Sequence, residues 1–515
     1  MHLEMPAKMT DDSAAQERVF QALSARPDVK RIDTHAASVF LDGPRALKLK
    51  RAVRFPFLDY STLERRKAAC EEEIRVNRPL APQIYHGVVA ITEEPDGSLQ
   101  VNGHGRPVEY AVDMSRFDER RTLDHLAKAG SLDANLVSAA ADAIVASHAA
   151  APRADGKAWV ASIPGLIDGN SNGLRKGRHF AAEEIEQLGK ASHEAFLHIR
   201  PLLEERCRQG FVRRCHGDLH LANIVSIDEQ PVLFDAIEFD AQMATVDVLY
   251  DLAFTLMDLL RHDQSLAANT VLNRYLAATP PENLDGLSAL PLFMSIRAGI
   301  RAQVALARLK PAHSHDPGIL DDARRYLNLA RTLIHPPAPR LIAIGGLSGT
   351  GKSVLARALA PIVTPQPGAV VLRSDLVRKQ MFGVNDTHRL PPSAYTPEVT
   401  ARVYETLAQR ARRVLAQGHS AIIDGVFARE EERDAVAALA REHNVPLSGL
   451  FLVADLATRQ ARIGSRQGDA SDATQEVAAQ QEHYNIGRLG WATIDASGTP
   501  EQTLQRCRDA IAAGK

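Results

Sequence analysis

Cysteine is scarce in this chain. Its 515 residues include four cysteines, Cys70, Cys207, Cys215 and Cys507, and no two of them form a Cys-x-x-Cys pair. That spacing excludes a disulfide framework and a zinc ribbon, since both need closely paired cysteines. No apolar run reaches the ~18 residues of a membrane helix, and the start, MHLEMPAKMTDDSAAQ, lacks the pattern of an export signal. The sequence therefore predicts a cytoplasmic protein with reduced thiols and no membrane span.

The chain also lacks a strong net charge and has few aromatic residues. The formal net charge is -2, and aromatic residues make up 5% of the sequence. Because nucleic-acid binding usually needs a basic stripe or a stacking platform, these values count against a nucleic-acid partner without excluding one. The hydrophobic fraction of 45% and the charged fraction of 24% are ordinary for a globular protein. A chain of this length is expected to form roughly two to four domains.

Proline-rich breaks divide the sequence. A helical pattern stops near Arg308 at KPAHSHDPGI, resumes briefly and stops again at HPPAPR, because proline cannot continue a helix. Beyond that point, apolar strand patterns alternate with amphipathic helix patterns, which predicts a parallel sheet covered on both faces. Before Gly105 the apolar runs are short and separated by turns, as in a β-rich lobe with one helix. We predict a small β-rich lobe at 1–115, a helical lobe at 116–335 and an α/β P-loop domain at 336–515.

A phosphate-binding motif opens the last of these domains. The segment GLSGTGKS follows the strand pattern LIAIG and precedes a helix pattern, which is the context that the P-loop motif GxxxxGK[ST] requires. Its glycines let backbone N–H groups face a phosphate, and the helix N-terminus adds partial positive charge. We predict that Lys352 reaches the β- and γ-phosphates of ATP and that Ser353 binds Mg²⁺. The other predicted phosphate-binding residues are Gly346, Ser348, Gly349, Thr350 and Gly351.

Polar residues after the later strand patterns are candidates to complete this site. Asp375, at the end of VVLRSD, is predicted to take the proton of an acceptor hydroxyl; helix capping by Ser374 or Asp375 is the alternative. Asp424, at the end of AIID, is a candidate to hold Mg²⁺. Arg462 and Arg466 are four residues apart on one helical face, which predicts either a lid over the nucleotide or surface ion pairs.

A second set of metal-capable side chains lies in the segment CHGDLHLANIVSIDEQPVLFDAIEFD. Asp218 is followed five residues later by Asn223, and Asp235 comes after a turn and a short strand pattern. In kinases with this order, the first Asp accepts the hydroxyl proton, and the Asn and second Asp hold Mg²⁺ against ATP. Turn and capping chemistry is the alternative for all three residues. His216 is predicted to be a structural hydrogen-bonding residue.

The motif HGDLHxxN resembles those of the aminoglycoside phosphotransferase and choline kinase families. Longer segments, such as FPFLDYSTLERRKAACEEEIRVN and DAIEFDAQMATVDVLYDLAFTLMDL, resemble bacterial bifunctional aminoglycoside phosphotransferase/ATP-binding proteins. This resemblance covers most of the chain and implies an α+β protein-kinase-like fold ahead of the P-loop domain. It also implies that Lys48 contacts the ATP phosphates and that Glu73 is its partner, with Lys50 and Glu72 as alternatives. The segment before Lys48, THAASVFLDGPRA, departs from the kinase pattern because it has no glycine-rich loop.

The C-terminal part is similar to P-loop kinases related to gluconate kinase, polynucleotide 5′-kinase and zeta toxin. Asp375 and Arg378 match the D-x-x-R pattern of the polynucleotide kinase branch, which makes Arg378 a candidate substrate contact. The segment RIGSRQGDASDA is similar to the lid of the gluconate kinase branch.

Together these motifs predict a tandem phosphotransferase that uses ATP and Mg²⁺ to phosphorylate a hydroxyl of a small molecule. An aminoglycoside pocket would need a dense acidic wall, whereas SIRAGIRAQVALARLK places Arg297 and Arg301 on one helix face. That face can meet an anionic acceptor, or its arginines can be solvated or ion-paired, and we favour a sugar, polyol or sugar acid. Two alternatives remain: one half senses nucleotide while the other transfers phosphate, or the C-terminal half is a polynucleotide 5′-hydroxyl kinase.

Overall fold

The computed structural model describes residues 8–9, 12–55, 58–309, 316–465 and 470–514. The chain folds into two compact units and passes between them more than once. The first unit comprises 1–263 and 292–334, and the second comprises 264–291 and 335–515. Within the described ranges, no helix combines the length and the apolarity needed to cross a membrane.

The first unit contains a six-stranded antiparallel sheet with the order β2-β3-β4-β9-β7-β8. The smaller β1-β5-β6 sheet and the pairs β10-β13 and β11-β12 complete its β-structure. The strands of this unit are β1 (Lys8–Met9), β2 (Lys30–Asp33), β3 (Ala37–Asp42), β4 (Arg45–Lys50), β5 (Val53–Phe55), β6 (Leu58–Asp59), β7 (Tyr85–Glu93), β8 (Leu99–Val101), β9 (Arg106–Ser115), β10 (Val212–Arg214), β11 (Ile224–Ile227), β12 (Gln230–Leu233) and β13 (Thr245–Asp247).

Helices dominate the rest of the first unit. They are α1 (Ser13–Ser24), α2 (Leu63–Asn77), α3 (Leu123–Lys128), α4 (Ala134–Ala150), α5 (Lys157–Lys176), α6 (Ala182–Gln209), α7 (Val248–Arg261), most of α9 (Leu290–Leu306) and α10 (Pro317–Leu333). Short 3-10 helices occur at Glu119–Arg121 and Leu221–Asn223. The sequence predicts one helix beside the small sheet, whereas the structure has two: α1 packs there through Val19, Phe20 and Leu23.

Helix α2 carries the acidic residues predicted to face a lysine. It begins after Thr62, whose hydroxyl accepts a hydrogen bond from Arg65 N at 3.4 Å. Cys70 packs on this helix with the hydrophobic cluster that includes Val112 of β9. Because residues three apart lie on the same side of a helix, the face that buries Cys70 also buries Glu73 against the sheet.

The second unit is built on a five-stranded parallel sheet with the order β15-β16-β14-β17-β18. Its strands are β14 (Leu341–Gly346), β15 (Val370–Arg373), β16 (Ala421–Asp424), β17 (Leu447–Val453) and β18 (Ala492–Asp495). Strand β14 is buried along its whole length, as expected of a central strand covered on both faces. The antiparallel sheet with helices in the first unit and the parallel sheet of the second agree with the predicted α+β part followed by an α/β domain.

From residue 352 onward, the helices of the second unit alternate with these strands as the sequence predicts, and one further helix precedes the sheet in the chain. They are α8 (Ser265–Ala278), α11 (Lys352–Leu359), α12 (Ser374–Met381), α13 (Pro397–Ala416), α14 (Glu430–Glu442), α15 (Leu456–Gly464), α16 (Gln475–Gln480) and α17 (Pro500–Ala513). Short 3-10 helices occur at Pro281–Ala289, Ala360–Ile362, Pro392–Tyr395 and Gln481–His483. The core joins β14, β16 and β17 to α11 and α17 through residues such as Ile344, Leu355, Ile422, Leu450 and Cys507.

Residues 264–291 pack in the second unit, although the sequence assigns them to the helical lobe. Strand β15 lies at the end of the sheet, and α8 covers its backbone with two asparagines. The side-chain oxygen of Asn273 accepts from Val371 N at 2.7 Å, and the amides of Asn269 and Asn273 each donate to Ala369 O at 3.1 Å. Periodicity predicts that a segment is helical but does not reveal which sheet it covers, so the sequence missed this partner.

Candidate active sites

Lys48 lies in the first unit between two carboxylates. Strand β4 turns the side chains of Lys48 and Lys50 to the same face, since residues two apart in a strand point the same way. The Lys48 ammonium lies 2.8 Å from Glu73 Oε1 and 2.7 Å from Asp235 Oδ1. Lys50 shares Glu73 at 2.6 Å and contacts Glu238 at 2.5 Å. The pairing that the resemblance implies, Lys48 with Glu73, is therefore present in the structure, and Lys50 joins it as a second cation.

The remaining alternative, Glu72, is turned away from this cluster. Its carboxylate lies 2.5 Å from the Arg75 guanidinium on the outer side of α2. Burial by itself would raise the pKa of Glu73, but Lys48 and Lys50 lower it below the ordinary value of a glutamate. Burial would likewise lower the pKa of Lys48, and Asp235 and Glu73 raise it well above the ordinary value instead. Glu73 and Lys48 therefore each favour the ionised form of the other.

The structure brings together Asp218 and Asn223. The amide nitrogen of Asn223 donates to the Asp218 backbone oxygen at 2.9 Å and to the Asp218 carboxylate at 3.3 Å. Phe234 N donates to Asn223 O at 3.0 Å, which ties the loop to the start of the segment that carries Asp235. Asp235 has a positive φ of 59°, a conformation that few non-glycine residues adopt. The same segment gives Lys48 its contact with Asp235. Asp218, Asn223 and Asp235 therefore lie near one another.

Buried side chains hold the loop that carries Asp218 in place. Asp251, on α7, accepts hydrogen bonds from Gly217 N at 2.8 Å and His216 N at 3.3 Å, and its carboxylate lies 3.1 Å from His148 Nε2. The His216 ring bonds to Phe234 O at 2.9 Å, in agreement with the structural role predicted for it. Gly217 has a φ of 85°, so this turn requires a glycine.

The sequence leaves two interpretations of the face that carries Arg297 and Arg301: contact with an anionic acceptor, or solvated or ion-paired arginines. The structure agrees with pairing for Arg297, whose guanidinium lies 3.9 Å from Asp251 Oδ1. The Arg297 guanidinium lies 4.0 Å from the Tyr250 ring centroid and 4.5 Å from that of Phe254, and its side chain is 7% exposed. Arg301 lies 5.8 Å from the Tyr326 ring. Aromatic side chains from α7 and α10 cover both guanidinium groups, because a cation is favourable over an aromatic face.

Their effect on the site is electrostatic. Burial would raise the pKa of Asp218, but His220, Arg297 and His216 lower it below the ordinary value of an aspartate. Arg301 also interacts electrostatically with Asp218. His220 and, to a smaller extent, Arg297 thus favour the ionised form of Asp218.

A cavity of about 220 Å³ is lined by Lys48, Asp218 and Asp235. The turn between β2 and β3, residues 34–37, also lines it at the place where kinases carry a glycine-rich loop. Here Thr34 closes the turn: its N–H donates to Ala37 O at 2.8 Å, and its hydroxyl accepts from Ala37 N at 3.0 Å. A threonine-closed hairpin thus replaces the missing glycine loop.

The P-loop of the second unit requires its glycines. Gly346 has a φ of 134°, and a Cβ there would lie 2.5 Å from Leu452 O. Gly349 has a φ of 86°, and a Cβ there would lie 2.6 Å from Arg459 O. Gly351 also has a positive φ, 93°, but a Cβ there would meet no described atom within 4 Å. The loop is therefore packed tightly against β17 and α15 on one side and leaves a cradle open beside α11.

Side chains around the cradle form a polar network. The Ser353 hydroxyl donates to Asp424 Oδ2 at 2.6 Å, the Lys352 ammonium donates to Leu347 O at 3.1 Å, and Thr350 closes the loop by donating to the same oxygen at 2.8 Å. Ser348 N donates to Gln481 Oε1 at 2.7 Å. No motif in the sequence identified Gln481, because its contact joins positions 133 residues apart.

The predicted residues of the second unit line a cavity of about 1280 Å³. Lys352, Ser353, Asp375, Asp424 and Arg462 all contribute to its wall. Burial raises the pKa of Asp375, as does nearby Asp424, while Arg373 and Lys352 oppose that rise. Helix α12 has Arg373 at its N-cap position, so neither Ser374 nor Asp375 is the capping residue that the alternative proposed.

Two of the predicted arginines are held by backbone oxygens. Arg378 is 6% exposed and donates to Ala394 O at 2.6 Å, with its guanidinium 4.8 Å from the Tyr395 ring. Arg462 donates to Gly498 O at 2.9 Å while lining the cavity, a contact different from the predicted surface ion pair. Arg466, the other predicted lid residue, lies outside the described residues.

Arg373 is a further site residue that sequence reasoning missed. It is the last residue of β15 and contacts both Ser353 and Asp424. Its position immediately before the Ser374–Asp375 pair at a strand end was a usable signal, since ligand-binding residues of open parallel sheets cluster there.

The fold and these two sites define a protein of the kinase class, in which each unit is a phosphotransferase domain. Residues 34–289 match the family model of the phosphotransferase enzyme family, and residues 341–485 match that of an AAA domain.

Relatives with both parts occur in mycobacteria. The chain is 30% identical over 490 residues to uncharacterized proteins of Mycobacterium tuberculosis and Mycobacterium bovis, covering 92% of this chain and 93% of each relative. It therefore belongs to the same family as these proteins; in this chain, the part that matches the phosphotransferase model precedes the part that matches the AAA model.

Solved structures are similar to each part separately. A choline/ethanolamine kinase family protein from Mesorhizobium loti is 13% identical, with a TM-score of 0.37, and the match covers 62% of this chain and 95% of that one. A gluconokinase from Sinorhizobium meliloti is 19% identical, with a TM-score of 0.25, and the match covers 34% of this chain and 93% of that one.

Proposed function

We propose that this protein is a tandem phosphotransferase in which each unit moves the γ-phosphoryl group of ATP to a hydroxyl of a small molecule, with Mg²⁺ as the metal. The observation that carries the proposal is the clustering in each unit of a lysine, a carboxylate base and metal-capable oxygens around one cavity. Phosphoryl transfer is catalysed mainly by positioning and charge neutralisation, which these groups supply.

In the first unit, Asp218 is the proposed base and Lys48 the proposed phosphate ligand. Asp235 and Asn223 offer a carboxylate and an amide, the hard oxygen ligands that Mg²⁺ prefers. The bond from Asn223 to Asp218 fixes the orientation of the amide. Asp218 is ionised because His220 and the arginines lower its pKa, so it can accept a proton from an acceptor hydroxyl.

In the second unit, the backbone N–H groups of the P-loop and Lys352 are proposed to hold the phosphates. Ser353 and Asp424 fit Mg²⁺ by their donor atoms, a hydroxyl and a carboxylate that already lie 2.6 Å apart. Bound Mg²⁺ would neutralise charge on the β- and γ-phosphate oxygens. The proposed base is Asp375, which lines the same cavity, and Arg462 is proposed to face the transferring group.

For the acceptor, we favour a sugar, polyol or sugar acid. The large cavity combines the guanidinium groups of Arg389 and Arg429 with the hydroxyl groups of Tyr395 and Thr400, and such a wall suits a ligand that carries several hydroxyls or a carboxylate. Arg378, the residue that favoured a polynucleotide acceptor, lines the same cavity while its guanidinium donates to Ala394 O.

The decisive experiment is a screen of hydroxyl-bearing metabolites with labelled ATP, using the full-length protein, Asp218→Asn and Lys352→Ala. We expect each variant to lose transfer to one acceptor by at least about a hundredfold while keeping transfer to the other. Lys190→Ala, at a lysine whose side chain is 78% exposed, is the matched control. If only one of the two variants abolishes the transfer seen with wild type, the unit that the other variant changes is a nucleotide sensor. Transfer that neither variant reduces would contradict the proposed sites.

A further inference from the structure

Arg373 and Asp424 lie side by side at the ends of neighbouring strands. They are partners in the parallel register of β15 and β16, and each is the last residue of its strand. Their side chains are 9% and 5% exposed. Asp424 lines the large cavity, and because the carboxyl ends of parallel strands face the ligand crevice, this ion pair lies beside the proposed nucleotide site.

The guanidinium of Arg373 is bound to both proposed Mg²⁺ ligands. Its Nη2 donates to Ser353 Oγ at 2.9 Å, and its Nε lies 3.3 Å from Asp424 Oδ2. Ser353 in turn donates to the same carboxylate oxygen at 2.6 Å. The three side chains therefore form a closed triangle in which a cation contacts the hydroxyl oxygen and the carboxylate oxygen together.

A metal ion needs those same two oxygens. Mg²⁺ binds oxygen ligands at roughly 2.0–2.1 Å in near-octahedral geometry, and a guanidinium in contact with both oxygens occupies part of the space and charge that the ion requires. Arginine cannot relieve the repulsion by losing a proton, since it stays charged at any physiological pH. Metal binding at these oxygens therefore requires the guanidinium to move away from them.

We propose that Arg373 is an internal counter-cation of the metal site, which holds Ser353 and Asp424 in place until Mg²⁺ arrives with the nucleotide and displaces it. This inference rests on the proposed role of Ser353 and Asp424 as metal ligands. Arg373 acts through those two residues and is a positioning residue.

The charge of the nucleotide explains why Mg²⁺ and the nucleotide would enter the site together. A guanidinium released by a bare metal ion would be left buried beside a second cation, which is unfavourable. When the metal enters with a triphosphate, the released guanidinium gains the phosphate negative charge instead. The site consequently binds free divalent metal weakly and metal–nucleotide tightly.

A purely structural role of Arg373 and a competing role predict opposite changes in metal affinity when Arg373 is replaced. If Arg373 only braced the strand ends, its loss would loosen Ser353 and Asp424 and weaken metal binding. If it competes with the metal, its loss frees the two oxygens and strengthens binding of metal alone.

The test is a titration of the full-length protein with Mn²⁺ in the absence of nucleotide, followed by electron paramagnetic resonance. All variants carry Asp235→Asn, so that the proposed metal site of the first unit is impaired equally in each. We expect Arg373→Met to bind Mn²⁺ at least about tenfold more tightly than the parent, because a charge contacting the site has been removed. Arg373→Lys, which keeps the charge, should stay within about threefold of the parent.

Asp424→Asn is the control that separates this inference from the function on which it rests. Combined with Arg373→Met, it should abolish the added Mn²⁺ binding, and alone it should weaken binding of Mn²⁺ with a non-hydrolysable ATP analogue. Unchanged binding of that metal–nucleotide pair in Asp424→Asn would refute the proposed metal site. Loss of the pair in Asp424→Asn, together with unchanged or weaker Mn²⁺ binding in Arg373→Met, would refute the counter-cation alone. Should Arg373→Met not melt cooperatively, Arg373→Gln replaces it with the same expectation.

Discussion

At the scale of the residue, the two units present their proposed phosphate-binding lysines differently. Lys48 is paired with two carboxylates, Glu73 and Asp235, whereas Lys352 contacts a backbone oxygen of its own loop. Lys50 shares Glu73 with Lys48 and is more deeply buried, with 3% of its side chain exposed against 17%. Both lysines line the cavity of the first unit, but Lys48 contacts Asp235 whereas Lys50 contacts Glu238, so we expect their roles to be separable.

Replacing Lys48 by methionine should mainly lower activity, whereas replacing Lys50 by methionine should mainly lower stability. Lys48→Met is expected to lower kcat/KM of the first unit by about 10²–10³-fold, since a charge that meets the phosphates is lost. Lys50→Met should mainly lower the free energy of unfolding, by roughly 3 kcal/mol, because Glu238 is left buried without its partner. Steady-state kinetics and thermal unfolding measure the two effects. Equal kinetic losses in both variants would contradict the division of roles.

A buried histidine makes the stability of the second unit depend on pH. His419 is 2% exposed and its Nε2 lies 2.9 Å from Gly368 O. Burial lowers the pKa of His419 to about 4, and the bond to Gly368 only partly opposes that shift. The folded state therefore resists protonation, while the unfolded chain takes up a proton below its ordinary value of about 6.5.

The free energy of unfolding should accordingly fall as pH drops from about 6.5 to about 4, by up to ~3 kcal/mol from this residue, and level off below that range. His419→Gln should remove that part of the pH dependence, and His483→Gln, at an exposed histidine, is the control. Thermal unfolding between these pH values is the measurement. Parallel curves for wild type and His419→Gln would show that the histidine is not the cause.

At the scale of the element, helix α8 has a function that its periodicity does not reveal. It lies along β15, the strand at the end of the parallel sheet. Exposed strand edges promote association with other chains, and proteins commonly cover them. Asn273 makes both an acceptor and a donor contact with the strand backbone, as a neighbouring strand would.

Replacing Asn273 by alanine should therefore destabilise the second unit by about 1–3 kcal/mol, since Val371 N loses its acceptor and Ala369 O keeps only the amide of Asn269. The chain has two tryptophans, Trp159 in the first unit and Trp491 in the second. In a Trp159→Phe background, denaturant unfolding followed by tryptophan fluorescence reports on the second unit. Thr270→Ala, which removes a hydroxyl bonded to Leu266 O within the same helix, is the matched control, and an equal effect of both changes would contradict the role of Asn273.

At the scale of the whole molecule, the second unit is discontinuous in sequence. Its sheet begins after residue 335, but 264–291 belong to the same unit. That segment brings α8 to β15, and Ser288 donates to Gln417 at 2.8 Å. A boundary placed at the proline-rich break would separate these contacts from the sheet that they cover.

A fragment of residues 336–515 should therefore be less stable than the second unit of the intact chain. We expect it to associate at micromolar concentration, because the β15 edge and the surface covered by α8 are exposed. Light scattering measures the association and the melting temperature measures the stability, with the full-length protein as reference. Adding a synthetic peptide of residues 264–291 should reduce the association. A monomeric fragment with the melting temperature of the intact unit would contradict this organisation.

Features that depend on the local order of residues could be predicted from the amino-acid sequence. The alternation of apolar strands and helices predicted the parallel sheet, GLSGTGKS predicted the P-loop, and the order of Asp218, Asn223 and Asp235 predicted residues that the structure brings together. Such predictions are possible because backbone periodicity and short motifs are properties of neighbouring residues.

The contacts between side chains that are far apart in the sequence were revealed only by the fold. It placed Arg297 under aromatic rings instead of on a binding face, turned Arg378 to Ala394 O, and brought Arg373 and Gln481 to the P-loop. It also moved α8 to the sheet of the second unit. The physical reason is that contacts across strand ends and between helices are selected by packing and charge in three dimensions, which spacing along the chain does not encode.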